Sequence, residues 1–286
     1  MIKMKEFGGN EFLKLKYNQI KVLMLDQIKK VYLAQKKDNQ EKKIIKEINL
    51  LKLDEKERDM AIQEGIILSK LKHPNIINSN EFHLENDKID IIMEYAEGGD
   101  LFNKIKEQKN KNKIFEEKEI IEWFIEICEG VKYIHENKII HRDLKPLNIF
   151  LTKNNKIKIG DFGSAALLNY KSKAKTMIGT QIYLSPEIMK NKPYDYKSDI
   201  WNLGIILYEL TQLKHPFFDE NMSNEKMINN IEKENINFIN INYSERLLNL
   251  IKNILKVNPN ERLDINKIIL ECYTIIIKKN SNSNNE

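Results

Sequence analysis

The sequence predicts an α+β fold in two parts. Through residue 97 the chain alternates short β-rich runs with one helical segment, and beyond Gly98-Gly99 its periodicity turns helical. Its 286 residues suit about two domain-sized cores.

In the first part, Lys21–Leu25, Lys30–Lys36 and Lys43–Ile48 are rich in β-branched and other apolar residues and read as strands, broken by the polar turn Lys37-Asp38-Asn39-Gln40. Asp54 followed by Glu57 reads as a capping box, with Asp where Ser or Thr is usual, and predicts a helix through Leu71. His73-Pro74-Asn75 stops it, because proline disfavours α geometry in the residue before it. Gly65 inside that helix costs about 1 kcal/mol relative to alanine, so either the helix swings easily or a neighbour packs closely on it. Ile76–Phe82 and Ile89–Glu94 read as further strands, and Gly98-Gly99 as a flexible joint.

In the second part, Ile120, Phe124, Ile127, Val131 and Ile134 recur at spacings of four and three, which makes one apolar helix face. Ile200–Leu210 is apolar nearly throughout and predicts a core helix too short to cross a membrane. Asn280–Glu286 is rich in Ser and Asn and predicts a frayed end. The expected organisation is an N-terminal extension over 1–19, a small domain half over 20–97, a larger one over 98–275 and a disordered tail over 276–286.

Composition narrows the function classes. Charged residues make up 31% and the net charge is +5, with lysines scattered among glutamates, so no nucleic-acid stripe is expected. Cys128 and Cys272 have no metal-ligand or redox spacing and are expected to stay reduced in the cytosol. No apolar run of membrane-spanning length and no secretory leader are read in the sequence, so no membrane partner is expected.

One block carries chemistry. His141-Arg142-Asp143-Leu144-Lys145-Pro146-Leu147-Asn148 is followed by Asp161-Phe162-Gly163. It holds an aspartate able to accept a hydroxyl proton, a lysine and an asparagine suited to phosphate and metal, and a second aspartate suited to Mg²⁺. Those are the requirements of phosphoryl transfer.

With this block in hand, the chain resembles a eukaryotic-type protein kinase over roughly residues 20 to 275. The resemblance implies a two-lobed kinase fold, with a small antiparallel sheet and one regulatory helix in the first lobe and a larger, mainly helical second lobe. It implies that Lys46 holds the ATP phosphates and Glu64 pairs with it. Asp143 becomes the proton acceptor, with Lys145 stabilising charge beside the transferred phosphate, while Asn148 and Asp161 hold Mg²⁺. Val31, Ile44 and Phe150 match the adenine sandwich. Met93, Glu94 and Ala96 match the gatekeeper and hinge, and Asp100 the ribose side. Leu68, Phe162 and His141 match positions of the hydrophobic regulatory spine.

Ser185-Pro186-Glu187 stands for the end of the activation segment, with Glu187 pairing Arg262, and Asp199 anchors the catalytic loop. Thr176 matches the activating phosphorylation site and Arg142 its receiver; Ser172 is a weaker candidate site, and Thr180 is expected near Asp143. Ala166 and Gln181 depart from the arginine and proline common at their positions. Lys46-Glu47-Ile48-Asn49, Glu97-Gly98-Gly99-Asp100-Leu101, Tyr183-Leu184-Ser185-Pro186-Glu187 and Leu213-Lys214-His215-Pro216-Phe217 are similar to the NIMA-related serine/threonine kinases. The implied partners are ATP and proteins bearing Ser or Thr. The implied location is the cytoplasm, with cilium, centrosome or nucleus as alternatives, and the sequence does not give an oligomeric state.

The glycine-rich loop of the family is missing. Met24 to Lys30 is about three residues shorter than that loop and contains no glycine, with Asp26 and Lys29 at glycine-like places. An active kinase with weakly held ATP is the main reading, because Lys46, Glu64, Asp143, Asn148 and Asp161 are all present. A pseudokinase or scaffold is the alternative, and a sequence that has lost residues in this stretch is a third.

Overall fold

The computed structural model describes residues 11–167 and 181–283, apart from 86, 194, 220, 240 and 241. The chain divides after Glu97 into two compact units.

The first unit is a five-stranded antiparallel sheet of β1 (Tyr17–Leu25), β2 (Lys29–Lys36), β3 (Lys42–Asn49), β4 (Ser79–Glu85) and β5 (Lys88–Glu94), in the order β1-β2-β3-β5-β4. Residues directly opposite in such a ladder share a face. Tyr32 stands opposite Ile45, and Ile45 opposite Ile92; with Ala34, Leu13 and Tyr17 they form a buried cluster. Leu13 comes from a short helix, α1 (Glu11–Lys16). Residues 11–19, expected to precede the fold, therefore belong to it: Leu13 and Tyr17 bury apolar surface that the outer face of the sheet would otherwise expose.

The opposite face carries Val31 across from Lys46, Leu33 across from Ile44, and Ile44 across from Met93. Helix α2 (Glu55–Lys70) contacts β4 and β5 of this sheet. Its capping box is complete: the Asp54 carboxylate accepts the Glu57 N–H at 2.8 Å, and the Glu57 carboxylate accepts the Asp54 N–H at 3.0 Å. Gly65 is explained by close packing, since a Cβ there would lie 2.2 Å from ring carbons of Phe82 on β4. The fourth strand starts at Ser79, later than expected; Ile76 and Ile77 are buried without being part of it.

The second unit is mainly helical: α3 (Leu101–Asn110), α4 (Glu117–Glu136), α5 (Pro186–Met189), α6 (Tyr196–Gln212), α7 (Asn224–Glu232), α8 (Glu245–Ile254) and α9 (Ile265–Ser283). Two small ribbons pair β6 (Ile139–Ile140) with β9 (Ala166–Leu167), and β7 (Ile149–Leu151) with β8 (Ile157–Ile159). The predicted face of α4, from Ile120 to Ile134, is fully buried against α6 and α9. Helix α6 is buried from Ser198 to Gln212, as its nearly continuous apolar run requires.

Two expectations are corrected here. The tail expected from 276 is helical to Ser283, because Ile268, Cys272 and Ile275 bury one face of α9, and adding residues to a formed helix costs little. The expected flexible joint is pinned: Gly98 N–H donates to Leu151 O at 2.7 Å, and Leu151 N–H to Gly99 O at 2.8 Å. Gly99 has φ +78°, a conformation that glycine adopts without a Cβ penalty. Among the described residues, no helix is long and apolar enough to cross a membrane.

Candidate active site

In the first unit, strand alternation puts Lys46 on the sheet face that carries Val31, Ile44 and Met93. Glu64 lies on the buried stripe of α2 with Ala61, Ile67 and Leu68. The Lys46 ammonium donates to both Glu64 oxygens, at 2.6 and 2.9 Å, and both residues are buried. A buried pair of this geometry holds each charge in place, and removing one partner leaves the other uncompensated. Val31, Ile44 and Met93 are half-buried, and Ala96 is buried just beyond β5. Glu94 accepts the Asn78 N–H at 2.8 Å through its carboxylate.

The β1–β2 turn has no glycine and closes differently. Asp26 N–H donates to Lys29 O at 3.0 Å, and one oxygen of the Asp26 carboxylate accepts the N–H groups of Ile28 and Lys29 at 2.7 and 2.6 Å. Those two backbone bonds hold the Asp26 carboxyl below its ordinary range.

In the second unit, the loop 141–148 follows β6 and hangs on Asp199, which is fully buried on α6. One Asp199 oxygen accepts the His141 N–H at 3.0 Å and lies 2.8 Å from His135 Nε2; the other accepts the Arg142 N–H at 3.0 Å. Burial pushes the Asp199 carboxyl up, but the His135 hydrogen bond and the neighbouring imidazoles more than offset it and leave it below its usual value. His141 is buried with its ring against Phe162, centroids 4.8 Å apart. Its Nδ1 accepts the Asp143 N–H at 3.3 Å, so its Nε2 carries the proton donated to Gly160 O at 3.1 Å.

Asp143 is the hub of this loop. Lys145 Nζ donates to its two oxygens at 2.8 and 3.0 Å, and Asn148 Nδ2 donates to its Oδ2 at 3.0 Å and to its backbone oxygen at 2.8 Å. A 3₁₀ turn over Pro146–Asn148 presents Asn148 to it. The pairing of Ile149 with Ile159, with Gly160 N–H donating to Asn148 O at 2.9 Å, brings Asp161 beside Asn148. Asp161 is exposed at φ 58°, Phe162 after it is buried, and Arg142 has φ 69°. Left-handed backbone at non-glycine residues costs on the order of 1–3 kcal/mol each, and surrounding bonds such as that from Asp199 to the Arg142 N–H fix the loop against that cost. Phe150 is on β7 and forms a backbone bridge with Asp100, whose carboxylate caps α3 by accepting the Asn103 N–H at 2.8 Å.

The segment end behaves as expected. Arg262 donates to the two Glu187 oxygens at 2.8 and 2.7 Å, and Ser198 Oγ adds a third bond at 3.0 Å. Burial raises the Glu187 carboxyl, yet the Arg262 guanidinium outweighs it and the group ends below its ordinary value. Thr176, Ser172 and Thr180 lie outside the described residues, as do the side chains of Ala166 and Gln181.

Three partners escaped the sequence reading. His135 supports Asp199 from the last turn of α4, one residue past the apolar face that was legible. Tyr183 OH donates to both Glu209 oxygens, at 3.0 and 3.1 Å. Burial pushes Glu209 up to about 8 despite that bond, and burial pushes the neighbouring His215 down to about 3. The Asp26 cap was readable as an Asx turn, in which the side chain bonds its own backbone two residues on.

Comparison with known proteins gives the family. The family model described as Protein kinase domain matches residues 27–274. The chain is 45% identical over 227 residues to mouse serine/threonine-protein kinase Nek1, covering 79% of this chain and 18% of that protein. It is 43% identical over 256 residues to human Nek5 (89% and 36%) and 47% identical over 219 residues to mouse Nek3 (76% and 42%). The chain thus spans less than half the length of these relatives. With its matched span, its five-stranded sheet unit and its helical unit, the chain belongs to the protein kinase family and is similar to the NIMA-related members of it.

Proposed function

We propose that this domain is a serine/threonine protein kinase that transfers the γ-phosphate of ATP to Ser or Thr hydroxyls of proteins. The observation that carries the reading is the Asp143–Lys145–Asn148 cluster, a carboxylate aimed by two donors beside an exposed aspartate. Asp143 orients the acceptor hydroxyl and takes its proton. Lys145 keeps a positive charge beside the transferred phosphate. Lys46, fixed by Glu64, binds the phosphates; Val31, Ile44, Met93 and Ala96 of the first unit and Phe150 of the second are assigned to the adenine, Glu94 and Ala96 to hinge backbone groups, and Asp100 to the ribose side. The relatives' names, all serine/threonine-protein kinases, support the substrate class.

The residues present fit Mg²⁺. Asn148 Nδ2 is engaged by Asp143, which leaves Oδ1 as its ligand atom, and Asp161 adds an exposed carboxylate; a hard cation prefers such oxygens. When bound there, Mg²⁺ would neutralise charge on the phosphates. Regulation follows the family: a phosphate on Thr176 is received by Arg142, and a Thr176→Ala chain as active as the phosphorylated parent sinks that part. The pseudokinase alternative is disfavoured by the survival of Lys46, Glu64, Asp143, Asn148 and Asp161 together. The test of the whole reading is radiolabelled phosphate transfer to a generic protein substrate, run beside Lys46→Ala. Transfer by the parent and its loss in the variant are expected, and no transfer by the parent overturns the reading.

A further inference from the structure

We propose that Asp26 is an internal stand-in for a phosphate: its carboxylate fills the amide pair at the tip of the β1–β2 hairpin, so the hairpin contributes little to binding the triphosphate. The inference rests on the kinase reading above and specifies how this chain holds its nucleotide.

Two successive backbone N–H groups, those of Ile28 and Lys29, converge on a single oxygen of Asp26 at 2.7 and 2.6 Å. Convergent amides of this kind make a small anion-binding concavity, and here the anion is supplied by the chain. None of the residues from Met24 to Lys30 has a positive φ. The turn therefore closes without the left-handed residues that glycine would supply, and the carboxylate does the closing. The tip is also tied to the strand that carries Lys46: Asn49 N–H donates to Ile28 O at 2.9 Å, Lys29 faces Ile48 and Val31 faces Lys46. Asp26 thus adds a negative charge and withholds two donors on the same sheet whose lysine is assigned to phosphate. Its exposure to solvent weakens the repulsion without returning the amides.

The discriminating measurement is titration of the full chain with Mg-ATP and, separately, adenosine, for the parent, Asp26→Gly and Asp26→Asn. In the parent, the preference for Mg-ATP over adenosine comes from Lys46 and Mg²⁺ and sets the reference ratio. Asp26→Gly frees both amides and removes the charge, and should tighten ATP by about tenfold with adenosine unchanged. Asp26→Asn keeps an acceptor oxygen for the amides and removes only the charge, so its gain should be smaller and confined to ATP. An ATP-to-adenosine ratio unchanged in both variants overturns the proposal. Should Asp26→Gly weaken both ligands equally by loosening the turn, Asp26→Asn decides: a raised ratio supports the proposal and an unchanged ratio overturns it. Failure of every chain to bind either ligand removes the kinase reading and this inference with it, whereas phosphate transfer with an unmoved ratio removes this inference alone.

Discussion

The loop from His141 to Asn148 and the turn from Leu25 to Lys30 are each organised by one aspartate, with opposite consequences. Asp199 is remote in sequence, fully buried, and satisfies the backbone of residues 141 and 142 from beneath. The carboxylate of the loop itself, Asp143, is not spent on this backbone and accepts from the side chains of Lys145 and Asn148. Asp26 belongs to the turn it closes, is exposed, and occupies the amides that a phosphate would need. A remote buried anchor fixes backbone geometry and leaves the local groups available; a local exposed one fixes the geometry by consuming them.

The largest effect expected from breaking this contrast is on chemistry. Asp143→Asn should lower phosphate transfer by about 10²–10⁴-fold, the range for losing a positioned base, with ATP affinity retained; a variant that transfers at the parental rate removes Asp143 from its role. Next comes the buried anchor. Asp199→Ala leaves two backbone N–H groups and His135 without their acceptor, and should cost about 3–5 kcal/mol in chemical denaturation, the range for breaking buried charged networks. A loss below about 1 kcal/mol would place the anchoring elsewhere.

Glu209 sharpens the comparison, because it too is buried but, among the described residues, its carboxylate accepts from the Tyr183 hydroxyl alone, and its pKa goes up to about 8 where that of Asp199 goes down. Between its ordinary 4.5 and about 8 the folded chain keeps a proton that the unfolded chain releases, so this contribution to stability is complete below 4.5 and is lost as pH climbs towards 8. Glu209→Gln cannot ionise, so its Tm should rise relative to the parent from pH 5 to pH 8 and gain nothing further above that. A difference in Tm that stays flat across this range contradicts the assignment. The smallest effect belongs to the exposed anchor: Asp26→Asn should change stability by no more than about 0.5 kcal/mol, and a loss of several kcal/mol would show that the turn is a structural keystone.

Local rules were legible in the sequence where neighbours in the chain supply both partners. Asp54 and Glu57 face each other across one helical turn, so the capping box and the start of α2 could be read directly. The periodicity of α4 and the apolar run of α6 gave those helices for the same reason. The block from His141 to Asn148 was legible as a motif because its residues lie within eight positions of the chain. The turn at Asp26 obeyed an equally local rule, yet it was read only as a missing glycine loop. Residues 11–19 were assigned outside the fold because Leu13 and Tyr17 gain their meaning only from Tyr32, Ile45 and Ile92, which lie far along the chain.

By itself the sequence determined the family and the two-part α+β architecture, since motif residues and hydrophobic periodicity are encoded by residue type along the chain. Tertiary structure decided which groups are held and by what. The support of Asp199 by His135, the pairing of Tyr183 with Glu209, the closeness of Phe82 that demands Gly65, and the pinning of Gly98 to β7 all join positions far apart in sequence. Such contacts depend on burial and on the geometry of packed elements, and a one-dimensional pattern carries neither.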